Sequence, residues 1–256
     1  MTQAAALDSK TTYLLRLGDS ALVLSQRMAE LCGKGPALEE DMAMANTALD
    51  LLGQARMWLS YAGEIEGAGR DEDALAYLRS DREFKNFLLV EQPNGNYAQT
   101  MVREFFFDAW HSLALARLVD SSDVRVAEIA AKAQKEVTYH LRRSSDLIVR
   151  MGDGTEASRA MTQAAVNGLW AFTGEMFVGD AVDAEMAASG VGFDPAELRA
   201  QWMAYVGEVF RVGTLTLPPA DAWMQKGGKQ GVHSEHLGYL LAEMQVVHRA
   251  HPGAKW

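Results

Sequence analysis

Residues 105–111 read FFFDAWH and residues 135–140 read KEVTYH, with a short break between them near Ser121–Asp123. Each stretch belongs to a run that repeats apolar residues every three to four positions, so each is read as part of a helix. Asp108 and His111 stand at i, i+3, and Glu136 and His140 at i, i+4. Both spacings put a carboxylate and an imidazole on one helix face. Helix bundles present ligands to a pair of metal ions in this way. The fold therefore depends on whether the flanking sequence supplies the other helices of such a bundle.

Upstream, the spacing predicts a helix over about 11–31, with Leu14, Leu17, Ala21, Leu24, Met28 and Leu31 on one face. Leu15, Leu22 and Val23 make a second apolar face, so this helix is expected to be buried on more than one side. Residues 32–36, CGKGP, stop it. A second helix is predicted over about 38–64, with an apolar stripe of Leu38, Met42, Ala45, Leu49, Leu52 and Leu59. Asn46, Asp50 and Gln54 form a polar ladder beside it. Gly53 in its interior implies close approach of a neighbouring helix, since glycine there costs about 1 kcal/mol relative to alanine. Residues 65–96 read as a long packed excursion with a short helix near 72–78 and a turn at Pro93-Asn94-Gly95. The two helices of the opening stretches then cover about 97–120 and 123–151. Further helices are predicted over about 156–178, 180–189, 195–214 and 235–250. The chain reads as all-α: one domain over 1–256, with a four-helix core at about 11–151 and additional helices at about 156–250.

Composition agrees. Of 256 residues, 48% are hydrophobic, enough for a sizeable core, and only six are proline. Acidic residues outnumber basic ones, 34 to 24, and a net charge of −10 argues against a nucleic-acid or anionic-membrane partner. The first ten residues, MTQAAALDSK, are polar and form no signal-peptide core, and no apolar run reaches the length of a membrane span. A single cysteine, Cys32, fits a reducing cytoplasm.

The chemistry centres on Asp19, Asp50, Asp108 and Glu136 with His111 and His140. Four acids and two histidines on four helices match the ligand count of a ferritin-like dimetal carboxylate site. The pattern in detail does not. Such sites carry Glu-x-x-His on two helices. Here the position one turn after Asp50 is Gly53, and the histidine after Glu136 falls one residue late. The six positions therefore read as a degenerate site whose groups form buried hydrogen bonds and ion pairs, with no metal. His233-Ser234-Glu235-His236 reads as a helix start with Ser234 as N-cap rather than as a metal cluster. GGKQG at 227–231 lacks the order of a phosphate loop, though a basic glycine-rich turn suits an anion. The loop residues Arg79, Arg82, Glu83, Phe84, Lys85 and Asn86 could grip an anionic, adenine-bearing ligand such as a coenzyme A thioester, or a partner; the plainer reading is a solvated charge run.

Several long segments, taken in order, resemble one family. They are LLRLGDSALVLSQRMAEL (14–31), LDLLGQAR (49–56), LLVEQPNGNYAQT (88–100), DAWHSLALARL (108–118), KEVTYHLRRSSDLIVRMGDGT (135–155) and GGKQGVHSEHLGYLLAEMQ (227–245). Over nearly its whole length the chain resembles the C component of phenylacetyl-CoA epoxidase (ring-1,2-monooxygenase). That resemblance implies a ferritin-like fold and a structural, non-catalytic role. It implies pairing with a related catalytic component that carries the di-iron centre, the A component, alongside a reductase and accessory proteins. The reaction served is the NADPH- and O2-dependent 1,2-epoxidation of phenylacetyl-CoA in aerobic phenylacetate breakdown. It implies no cofactor bound by this chain, with phenylacetyl-CoA itself a further candidate contact. The competing readings are a chain that is itself a di-iron carboxylate oxygenase, or a ferritin-like metal-binding protein.

Overall fold

Helix α1 (Ser9–Ala29) starts where Asp8 turns its carboxylate onto the Thr11 amide at 2.8 Å, an N-cap that satisfies a donor no helical carbonyl can reach. The computed structural model describes residues 7–219 and 221–254. The first six residues of the polar N-terminal stretch lie outside them. The other long helices are α2 (Leu38–Glu66), α5 (Tyr97–Leu118) and α6 (Val124–Gly152). Asn96 caps α5 through Gln99, and Asp123 caps α6 through Arg125 and Val126. Between α2 and α5 lie two short helices, α3 (Glu72–Tyr77) and α4 (Leu88–Glu91), with a 3-10 turn at Asp81–Glu83. The chain continues through α7 (Glu156–Leu169), α8 (Ala181–Ala188), α9 (Arg199–Val212) and α10 (Glu235–Ala250). No strand occurs among the described residues.

The side-chain pairs fix the topology. Glu64 pairs with Arg125, Gln54 with Glu136, Asp50 with His140 and Glu40 with Arg143. Numbers fall along α2 as they rise along α6, so the two helices are antiparallel. Arg27 near the end of α1 reaches the Glu91 carbonyl just before α5, while Lys10 at its start pairs with Asp123 at the start of α6. Thus α1 runs parallel to α6 and antiparallel to α5. Residues 67–96 cross the length of the bundle to make this possible. The result is two antiparallel hairpins, α1/α2 and α5/α6, joined by a long crossover, which is the ferritin-like arrangement.

Helix α1 is buried on both faces, as its two apolar rows predict. Close packing of the first hairpin rests on Gly18: a Cβ there would stand 2.8 Å from Leu59 Cδ2. Gly53 does not play that part, because a Cβ there would meet nothing within 4 Å. The outer stripe predicted for α2 is also corrected. Leu38, Met42, Leu49 and Leu52 are exposed; Leu59 alone of the predicted leucines reaches the core, which otherwise receives Met44, Ala48, Leu51, Ala55 and Trp58.

Helix α5 is the axis of the molecule. Phe105, Phe106 and Phe107 point in three directions about 100° apart, yet all are buried. The bundle covers one side, and the C-terminal elements cover the other. Phe106 packs against Trp170, Trp202 and Phe210 at 5.6–6.0 Å between ring centroids. Trp202 Nε1 donates to the Phe106 carbonyl at 3.1 Å, and Trp110 Nε1 to the Met176 carbonyl at 3.1 Å. Burying each phenylalanine contributes about 1.5–3 kcal/mol. The helix predicted over 156–178 ends at Leu169 and continues as 3-10 turns Trp170–Phe172 and Gly174–Phe177. There the Thr173 hydroxyl donates to the Trp170 carbonyl at 2.8 Å, competing with the helical ladder.

Candidate functional site

The antiparallel α2–α6 seam, with α5 behind it, brings most of the predicted site residues together. His140 Nε2 lies 3.0 Å from Asp50 Oδ2. Gln54 Nε2 donates to Glu136 Oε2 at 2.8 Å. Ser144 Oγ donates to Asp108 Oδ2 at 2.8 Å. His111 is buried against Phe107 and Trp110, with ring centroids 4.9 and 6.2 Å away. The gradient across the seam is steep: the Asp50 side chain is 39% exposed, whereas Asp108 and His140 are fully enclosed.

Asp19 is not part of this group. Its carboxylate is enclosed by Arg79, which donates through Nη1 at 3.0 Å and also through Nη2, and by the Lys85 amide at 2.8 Å. The reason is positional: Asp19 follows Gly18 on the face of α1 that meets the crossover, while the metal-type positions need the face toward α5 and α6.

Two residues that the carboxylate–histidine spacing does not single out complete the interior. Glu104 lies one turn before Asp108 and is fully buried. Arg143 lies one turn after His140 and inserts a side chain that is only 9% exposed. Its Nη2 donates to Glu40 at 2.7 Å and its Nη1 to Glu104 Oε1 at 3.4 Å. The Tyr97 hydroxyl donates to the same Glu40 oxygen at 2.9 Å. The signal that finds both residues is their place as i, i+3 and i, i+4 neighbours of Asp108 and His140.

Burial sets the electrostatics. It pushes the Glu104 carboxyl up to about 7, against the pull of Arg143 and Arg103. Asp108 is raised well above the usual carboxylate range, first by burial and then by Glu104. His111 is driven down to about 3 by burial and by the charge of His140. His140 is also lowered, because burial outweighs its bond to Asp50. A neutral His140 donates from Nε2 to Asp50 and leaves Nδ1 as a bare acceptor. Glu104 Oε2, Asp108 Oδ1, His111 Nδ1 and His140 Nδ1 are buried and have no hydrogen-bond partner.

Such orphaned atoms are what a metal would use, so they bear on whether the donor set suits a dimetal centre. It does not fit. Among the described residues no three His, Cys, Asp or Glu side chains converge closely enough to share a cation. Asp19 has turned to Arg79, Gly53 offers no ligand, and a permanent guanidinium stands between Glu40 and Glu104. A second cation beside Arg143 would be repelled at close range.

The remaining motifs serve the fold. Glu175 accepts from the amides of Leu88, Gly227 and Gly228 at 2.9, 2.9 and 3.2 Å, so the glycine-rich turn does bind an anion, and that anion is the chain's own carboxylate. A Cβ on Gly228 would stand 2.2 Å from the Asn86 carbonyl, so only glycine lets the turn lie this close to the crossover. Lys229 Nζ donates to Asp183 and to the Val178 carbonyl, both at 2.6 Å. His233 donates to Glu91 at 2.7 Å and to the Phe84 carbonyl at 2.9 Å. Ser234 is the N-cap residue of α10, as expected, but its hydroxyl makes no cap bond; its amide donates to Glu91 at 2.6 Å. In the loop read as a ligand grip, Phe84 and Asn86 are buried, Asn86 against Glu91 and Phe84 under the Arg79 guanidinium. Of the residues expected to form that grip only Arg82 and Glu83 are exposed, with Lys85 half-buried.

A family described as phenylacetic acid catabolic protein matches residues 1–256. The C subunit of 1,2-phenylacetyl-CoA epoxidase from Escherichia coli (strain K12) is 51% identical over 250 residues, covering 98% of this chain and 100% of that protein.

Proposed function

The chain belongs to the phenylacetic acid catabolic protein family, and from that premise we propose that it is the structural, metal-free subunit of a multicomponent 1,2-phenylacetyl-CoA epoxidase. It pairs with and stabilises a catalytic subunit that carries the di-iron centre, and a reductase draws electrons from NADPH for the reaction with O2. Its compartment is the cytoplasm, in keeping with a lone, exposed Cys32; among the described residues no helix is long and apolar enough to cross a membrane.

The observation that carries the metal-free reading is Arg143. A dimetal bundle neutralises its inward carboxylates with metal cations. Here a guanidinium from the chain itself reaches Glu40 and Glu104, and burial keeps Glu104 and Asp108 tending toward their protonated forms. An interior neutralised in this way supports the metal-free reading.

Metal analysis of the isolated chain, followed by reconstitution, tests the proposal. The expected result is no stoichiometric iron in the chain alone, and turnover only when the catalytic subunit, reductase, NADPH and O2 are present together. The second reading, a chain that binds iron itself as an oxygenase or a ferritin-like store, is favoured by the four orphaned atoms of Glu104, Asp108, His111 and His140. Iron at bundle stoichiometry in the isolated chain decides for it.

A further inference from the structure

Helix α2 carries two apolar rows. One faces the core through Met44, Leu51, Ala55 and Trp58. The other, Leu38, Met42, Ala45, Leu49 and Leu52, advances by alternating steps of four and three residues. It faces outward: Leu38 is 71% exposed, Leu49 65%, Met42 57% and Leu52 39%. An alternation of four and three is the a/d repeat by which one helix receives another. Beside the lower half of the row the backbone is bare, because a Cβ on Gly53 would meet nothing within 4 Å. Leu49, Leu52 and Gly53 form one wall of a groove of about 490 Å³ whose other wall is Ala76 and Tyr77 of α3. The groove's aliphatic lining is joined by two acids, Glu72 and Asp73, and one base, Arg56. Among the described residues Asp73 makes no ion pair, Glu72 pairs with Arg56 at 3.0 Å, and Glu39 stands exposed without an ion pair at the head of the row.

We propose that this face is the seat for a helix of the catalytic subunit, and that the helix carries an apolar a/d stripe flanked by lysine or arginine. The proposal rests on the reading of the chain as a structural partner and adds the surface and the chemistry of its occupant. The row spacing specifies a helix rather than a strand or a loop. The excess of acid over base specifies positive flanks. A second copy of this chain is the poorer occupant: it brings a net charge of −10 and would oppose Glu39 and Asp73 with the same acids.

The test measures affinity between the purified chain and the purified catalytic subunit by calorimetry, at low and high salt. The Leu49→Lys/Leu52→Lys variant is compared with the unaltered chain. A control, Val246→Lys/Val247→Lys, alters another exposed apolar pair, on α10. The α2 variant is expected to bind at least ~30-fold more weakly, the threshold of an interface hot spot, and the control to bind as the unaltered chain does. Binding of the unaltered chain is expected to weaken as salt rises. Should two lysines melt α2, as thermal unfolding would show, Leu49→Gln/Leu52→Gln replaces them with the same expectation. Equal binding by the α2 variant overturns the proposed face while leaving the structural-partner reading intact. A self-dimer that the α2 variant abolishes overturns the choice of occupant, and salt-independent binding overturns the charged flanks. No binding by the unaltered chain overturns the structural-partner reading and this proposal with it.

Discussion

The molecule has two buried polar regions, and they are satisfied to different degrees. One lies inside the bundle, between α2, α5 and α6. The other lies where the crossover meets α1 and the segment 227–236. In the second region both oxygens of each main acid are used. Asp19 accepts from Arg79 and the Lys85 amide, Glu91 from His233, Asn86 and the Ser234 amide, and Glu175 from three amides. In the first region Glu104 Oε2 and Asp108 Oδ1 accept nothing, and the acids lean toward their protonated forms. Acids that use both oxygens fix one geometry, even though Asn86 Oδ1 and the Ser234 hydroxyl beside them have no partner among the described residues. A half-satisfied network keeps the outline of a cation site and answers the deficit with one arginine and with protons. The contrast separates what builds this fold from what its interior has ceased to do.

The largest effect should come from breaking the saturated region. Asp19→Ala leaves the Arg79 guanidinium buried against carbonyls alone, and should cost about 3–5 kcal/mol of unfolding free energy in urea titrations. A loss below ~1 kcal/mol would mean that water relieves the charge and that the region is looser than its hydrogen bonds indicate. Arg143→Met should cost less, about 1–3 kcal/mol, although it also strands carboxylates. The difference arises because Glu104, already up at about 7, can take a proton. The loss should therefore be larger at pH 8 than at pH 6. Equal losses at the two pH values would show that Glu104 is not the group that responds.

Two histidines sharpen the same comparison with opposite signs. His111 is held at about 3 in the fold, against about 6.5 unfolded. Between those values the unfolded chain binds more protons, so stability falls as pH drops from about 6.5 toward 3. For His233, burial works against the cation, but the bond to Glu91 outweighs it and the pKa is raised. Its contribution is complete below about 6.5 and is lost as pH rises through the higher folded value. His111→Phe should remove about 1–2 kcal/mol of the loss between pH 6.5 and 5, read from denaturation midpoints. His233→Gln should leave that acid limb unchanged and flatten the alkaline one. The smallest effect belongs to Glu136→Gln, within about 1 kcal/mol, because Glu136 is half-exposed and its side-chain hydrogen bond among the described residues is to Gln54. Turnover per assembled complex should be unchanged, and loss of turnover in an intact complex would return Glu136 to the chemistry.

The legible parts of the sequence are those governed by period. All four bundle helices, α10 and the break before α6 follow from apolar spacing, and the caps at Asp8, Asn96 and Asp123 are what the structure adds at the helix starts. The side of α2 that faces inward is not legible in this way. Its outer row, Leu38 to Leu52, is more hydrophobic than the inner row, which contains Thr47, Ala48 and Gln54. A chain that must cover a surface outside itself places strong apolar residues where its own core does not need them. Asp19 groups with the bundle acids by helix position, and position alone does not say that Arg79, sixty residues on, will claim it. Phe84 and Asn86 are hidden for the related reason that a run of charges masks the two residues that turn inward. Arg143 and Glu104 are within reach of sequence reasoning, since each stands one turn from a residue that the spacing singles out.

The bond between His233 and Glu91 joins positions 142 residues apart. During synthesis Glu91 leaves the ribosome long before His233 and Ser234 exist. At about 5–20 residues per second the interval is roughly 7–30 s, far longer than helices and hairpins take to form. Once α6 has emerged the four bundle helices can be complete, yet α5 lacks the outer wall built by Trp202 and Phe210 until α9 follows, and the crossover lacks its clamp until His233 does. The nascent chain is thus a bundle with an open flank, which α9 covers first and the arrival of residues 227–236 closes.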